Sequence, residues 1–83
     1  MHRVTAIQVV GRYVVELLFS DGLRKVVDLE PYIGMGVAAA LRDETYFREV
    51  RIESGGGIAW PNGFDFCPNY LYENVPAIEI IAS

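Results

Sequence analysis

Residues 13–28, YVVELLFSDGLRKVVD, can close into a hairpin with one apolar face in a single register. The turn is Ser20-Asp21-Gly22, and its length decides which side chains meet. A two-residue loop of Asp21-Gly22 pairs Leu18 with Lys25 and Glu16 with Val27, mixing polar and apolar groups on both faces. A three-residue loop pairs Phe19 with Leu23 and Val15 with Val27. Val15, Leu17 and Phe19 then share a face with Leu23 and Val27, while Glu16 turns away with Arg24, Val26 and Asp28. One residue of slip moves every side chain to the opposite face, so the longer loop is expected. It requires Gly22 in the left-handed region. Lys25 becomes the exception on the inner face, expected near an edge with its ammonium snorkelling to water.

The same alternation extends upstream. RVTAIQVV precedes a Gly11-Arg12 pair that suits a two-residue loop between Val10 and Tyr13, so residues 3–31 read as a three-stranded meander ended by Pro31. Gly34 and Gly36 argue against a continuous helix from Pro31. The spacing predicts a turn at 31–33, a short helix near 37–41, and a further short helix capped by Asp43, with Tyr46, Phe47 and Val50 as its apolar side. Residues 50–53 and 58–60 read as a second hairpin closed by Ser54–Gly57, Pro68 opens a last helix over 68–73, and VPAIEIIAS is an extended tail docked on the body or on a partner. The expected fold class is α+β, in one domain over 1–83: an antiparallel N-terminal three-stranded meander, short helices, a second hairpin, a short C-terminal helix and an extended tail.

Composition narrows the function classes. Eleven acidic against seven basic residues give a net charge of −4, and no basic run exists, so direct nucleic-acid binding is not expected. A single cysteine forms no internal disulfide, and Cys67 with His2 makes no zinc site; no metal or other cofactor is expected. No signal peptide or apolar membrane span is evident, which makes the cytoplasm the expected location. Hydrophobic residues reach 52%, more than one small core readily hides, which points to an association surface.

The most distinctive stretch is GIAWPNGFDFCPNYLY, residues 57–72. Trp60, Asn62 and Asp65 form the candidate binding patch, and each carries two readings. Trp60 is either a core aromatic whose indole N–H meets a backbone carbonyl or an exposed stacking platform. Asn62 and Gly63 suit a turn needing positive φ. Asp65, flanked by Phe64 and Phe66, is either solvated, a cap, or an acid; as a catalytic acid it lacks a second titrating group within 57–72. Cys67 reads as a small hydrophobe, Ser54-Gly55-Gly56-Gly57 as a hairpin turn without the lysine of a phosphate loop, and His2 as part of a mobile end. No catalytic residue is assigned.

Several elements occur in order: FSDG at 19–22, VDL at 27–29, L-x-D-x-x-x-F at 41–47, V-x-I at 50–52, G-I-x-W-P-N-G-x-D at 57–65 and P-x-x-L-Y at 68–72. On these the chain resembles domain-of-unknown-function family 2442, small bacterial α+β proteins. Phe64 and Phe66 are bulkier, and Ala38–Ala40 blander, than that pattern. The resemblance implies no catalytic residue. It implies instead a small protein paired with another short protein, in the manner of a toxin and its antitoxin. The expected function is a non-enzymatic protein-interaction module that binds a small protein partner, itself as a homodimer, or both, through an edge strand or the tail. The alternative is a small-ligand or enzymatic role at the Trp60–Asp65 patch.

Overall fold

In the computed structural model, which describes residues 2–81 with side chains through Glu79, the hairpin adopts the three-residue loop. Strands β1 (Val4–Gly11), β2 (Val14–Phe19) and β3 (Arg24–Asp28) run antiparallel as a meander, with Val15 opposite Val27. The Phe19 N–H donates to the Leu23 carbonyl at 2.8 Å, and Gly22 has φ +95°. Val15, Leu17, Phe19 and Val27 are buried on the inner face.

The first turn differs from expectation. Gly11 is not at positive φ; it pairs with Val14, and the turn is Arg12-Tyr13 with Tyr13 at φ +60°. A left-handed conformation costs a non-glycine residue roughly 1–2 kcal/mol. What Tyr13 gains is a place in the core: its ring is buried, edge-on to Phe47 at 5.6 Å. Its hydroxyl donates to the Arg42 carbonyl, and its own carbonyl accepts from the Leu29 N–H at 2.8 Å.

The tail docks on the body. β7 (Ala77–Ile81) pairs antiparallel with β3, giving the order β1-β2-β3-β7. Val26 faces Glu79 and Val27 faces Ala77, so Ile78 is the extra residue of a bulge and stands 63% exposed. The side chains of Ile80 and Ile81, and residues 82–83 of the tail, lie outside the described residues. Because β7 covers β3, Lys25 is interior and not snorkelling at an edge. It is 5% exposed, and its Nζ donates to the carbonyls of Leu71 (2.8 Å), Tyr72 (3.1 Å) and Val75 (2.8 Å). Those carbonyls belong to the end of α2 (Pro68–Glu73) and the turn after it. A helix C-terminus leaves carbonyls unpaired, and a buried ammonium satisfies them with charge. Loss of water around the amine pushes its pKa down from the usual lysine value.

Between the meander and α2, residues 30–42 form two 3₁₀ segments, Glu30–Tyr32 and Gly36–Arg42, in place of the expected turn and α-helix. In the second, the buried side chains are Ala38 and Leu41, three residues apart and so on one face at the 3₁₀ repeat. α1 (Glu44–Phe47) begins at Asp43, whose carboxylate accepts from the Thr45 and Tyr46 N–H groups, as its sequence predicts. The second hairpin gains a third strand: β4 (Arg51–Ile52), β5 (Ile58–Ala59) and β6 (Asp65–Phe66) form an antiparallel sheet.

One turn geometry recurs three times. In Phe19–Leu23, Glu53–Gly57 and Trp60–Phe64, the first residue's N–H donates to the fifth residue's carbonyl. The fourth residue, a glycine at φ +95°, +90° or +93°, donates back to the first. This is the three-residue hairpin loop closed by a left-handed glycine. The two sheets enclose one core that includes Val15, Leu17, Phe19, Leu41, Phe47, Ile58, Trp60 and Leu71.

Candidate functional site

Trp60 directly follows β5 and enters the Pro61-Asn62-Gly63 turn. Its ring is 2% exposed, packed against Phe47 (5.5 Å), Phe64 (5.9 Å) and Phe66 (6.1 Å), and its Nε1–H donates to the Phe47 carbonyl at 2.9 Å. It therefore offers solvent no stacking face; of its two readings the structure shows the core aromatic. Asp65 sits opposite Ala59 on β6, exposed, while the neighbouring Phe66 is buried. It does not cap α2, whose N-cap residue is Cys67 with no side-chain bond. Cys67 is exposed at the N-cap position before Pro68.

Asn62 links the patch to the rest of the molecule. Its Oδ1 accepts from the Phe64 N–H at 3.1 Å, as Asp21 Oδ1 accepts from the Leu23 N–H at 2.9 Å in the corresponding turn. An aspartate would do the same. The amide adds a donor: Nδ2 bonds the Val37 carbonyl at 2.8 Å and ties the turn to the start of the Gly36–Arg42 segment.

What that tie holds in place is apolar and open. Met35 is 85% exposed and Val37 56% exposed, on a backbone that passes through Gly36 at φ +62°. Pro31, Tyr32, Ile33, Gly34 and Met35 line a hollow of about 330 Å³. Tyr32 stands edge-on to Phe66 at 5.8 Å and to Tyr70 at 6.3 Å, carrying the apolar surface across to the exposed Tyr70. The framework under this face is the Trp60 turn. Sequence reading centred on the framework and passed over Met35, whose signal was a large apolar residue between two glycines in a loop.

A second cluster was also passed over. His2 is docked, not mobile: its N–H bonds Asn69 Oδ1 at 2.9 Å, and its ring stacks on Tyr72 at 3.5 Å and 4°. Nε2 lies 3.5 Å from Glu73. The Tyr72 hydroxyl donates to Asp21 Oδ2 at 2.5 Å. That bond, helped by the Leu23 N–H, holds the Asp21 carboxyl below the usual aspartate value and raises Tyr72 above the usual tyrosine value. For a depressed acid the stabilisation is complete above its unfolded value, about 3.9 for aspartate, and is lost as pH falls through the lowered folded value. For Tyr72 it is complete below about 10 and lost as pH rises through the raised folded value. Thermal unfolding followed across pH should show both losses, and Asp21→Asn should flatten the acid one; an unchanged acid limb would remove the Asp21 bond from the account.

Among the described residues, no group of three or more His, Cys, Asp or Glu is placed to hold a metal ion, and no helix is long and apolar enough to cross a membrane. No curated protein and no solved structure matches the chain. A family model described as "Protein of unknown function (DUF2442)" matches residues 4–77, from the start of β1 to the first residue of β7. That span includes the β1–β3 meander, the three-stranded sheet, the Trp60 turn and the exposed Met35 loop, and the chain belongs to the DUF2442 family.

Proposed function

We propose that this protein is a non-enzymatic protein-interaction module of the cytoplasm. Its docking face is the surface of Tyr32, Met35, Val37 and Tyr70 around the hollow at 31–35, and its partner is another small protein. Antitoxin-like neutralisation of that partner is the most concrete form of the role. The observation that carries the reading is the exposure of Met35 and Val37 on a backbone clamped from below by Asn62. A large apolar side chain held out to water on an anchored segment adds nothing to the fold and suits a binding anchor. Methionine in particular adapts to an irregular partner surface. The charged group among the buried residues, Lys25, is occupied in holding α2. The tail, residues 77–81, is paired in the sheet.

The test is co-expression with the short protein that the family resemblance pairs with it, for wild type and for Met35→Asp/Val37→Asp. Both side chains are exposed, so the variant should unfold within about 0.5 kcal/mol of wild type, as surface substitutions do. It should lose at least about tenfold in affinity, since two buried anchors carry that much in an interface. Retained affinity in a folded variant would place the docking surface away from this face.

A further inference from the structure

The Trp60–Phe64 turn holds an Asn62-Gly63 pair. An asparagine amide is labile, and most so before glycine, whose backbone nitrogen has no side chain beside it to hinder attack. Both residues are exposed, and a Cβ at Gly63 would meet nothing within 4 Å. The chain's other asparagines lack this opening. Asn69 lies inside α2 and precedes Tyr70, and Asn74 precedes the buried, β-branched Val75.

Position 62 is also one where an amide and a carboxylate act differently. Asp21 stands at the corresponding place in the Phe19–Leu23 turn and accepts from the N–H two residues on, as Asn62 does. An acid therefore suits the turn itself. It does not suit the Val37 carbonyl, which accepts from Asn62 Nδ2 at 2.8 Å. A carboxylate there sets acceptor against acceptor.

We propose that Asn62 is a spontaneous modification site, and that loss of its amide releases the Gly36–Arg42 segment from the Trp60 turn. The Gly63 nitrogen gives up its proton and bonds to Asn62 Cγ, and Nδ2 leaves as ammonia, closing a succinimide ring. Water then opens the ring. Cleavage of the new N–Cγ bond gives aspartate. Cleavage of the original bond between the Gly63 nitrogen and the Asn62 main-chain carbonyl carbon gives isoaspartate, with the chain running through Cγ. Aspartate lacks the donor to Val37. Isoaspartate also lengthens the main chain inside a loop whose ends are fixed, by the Trp60 N–H on the Phe64 carbonyl (2.9 Å) and the Gly63 N–H on the Trp60 carbonyl (3.0 Å). The fold restrains the reaction through its own bonds: the Trp60 carbonyl holds the Gly63 N–H and the Val37 carbonyl holds Nδ2, and both must open before attack. The site goes beyond the docking proposal and is independent of any partner at the Met35 face.

Peptide mapping by mass spectrometry tests this on the full chain after incubation in mildly alkaline buffer. The amide-to-acid mass change should appear at Asn62 as two products of equal mass, aspartate and isoaspartate, while Asn69 and Asn74 keep their amides. In denaturant the change at Asn62 should be faster, because the two restraining bonds are already open. Asn62→Asp should fold with the bond to Phe64 kept, and its amides over residues 36–42 should exchange at least about threefold faster than in wild type, as loss of one hydrogen bond implies. A folded chain that keeps the Asn62 amide after the denatured chain has converted, conversion no faster at Asn62 than at Asn69 or Asn74, or an Asn62→Asp variant with wild-type exchange over 36–42 would each overturn the assignment.

Discussion

Gly57→Ala should be among the most damaging single-methyl additions in this protein. A Cβ at Gly57 would lie 2.4 Å from the Phe66 carbonyl oxygen and 3.2 Å from Pro68 Cδ. The first is backbone of β6 and the second is the start of α2, so neither can swing aside as a side-chain tip could. Relief requires β5 and β6 to separate where Ile58 pairs with Phe66. Overpacking a tight site costs typically 1–3 kcal/mol, and backbone displacement puts this case at about 3 kcal/mol or more. In a domain of this size each kcal/mol moves Tm by about 4–8 °C, so a fall of roughly 12–24 °C is expected in calorimetry. Gly55→Ala is the control: nothing lies within 4 Å of its Cβ and its φ is not positive, so Tm should hold or rise slightly. Equal effects at both positions would mean that Gly57 is not in contact with β6.

Lys25→Met should have a comparable effect for the opposite reason, by removing an interaction. Methionine fills similar space but leaves the Leu71, Tyr72 and Val75 carbonyls without their shared donor. Hydrogen bonds to a charged group contribute about 1.5–3 kcal/mol each, and relief of the ammonium's desolvation offsets part of that. A net loss of about 2–4 kcal/mol is expected in denaturant unfolding. Hydrogen exchange should locate it at the amides of α2 and of the turn leading into β7. A stability within 0.5 kcal/mol of wild type would show that water reaches those carbonyls and that α2 is not held through Lys25.

The features legible in the sequence were those decided by local chemistry. Ser20-Asp21-Gly22 set its register because alternating side chains allow one arrangement with a single apolar face, and that register is present. Asp43 and Pro68 marked helix starts because a cap and a preset φ act within one turn of chain. The same turn chemistry lay in Ser54-Gly55-Gly56 and Pro61-Asn62-Gly63, where it was read only as turn. What was not legible depends on contacts distant in sequence. Tyr13 takes the left-handed position because Arg42 and Leu29 await its hydroxyl and carbonyl. Lys25 goes inside because a helix end 46 residues away needs a donor. His2 is ordered by Asn69 and Tyr72. In the candidate patch, the types of Trp60 and Asn62 follow from packing and a turn, but the fact that Asn62 supports Met35 and Val37 appears only once the chain is folded.

The central claim is that Trp60 and the turn it enters are framework, supporting the apolar face proposed as the docking surface. Trp60 is the chain's single tryptophan, so fluorescence excited at the red edge of the absorption, where the five tyrosines do not absorb, reports on this framework. In the folded protein its emission should be blue-shifted and resistant to acrylamide and iodide, and should become quenchable only as the protein unfolds. Emission at the wavelength of free indole, quenched in the folded protein as readily as in denaturant, would put the ring in water and contradict the account.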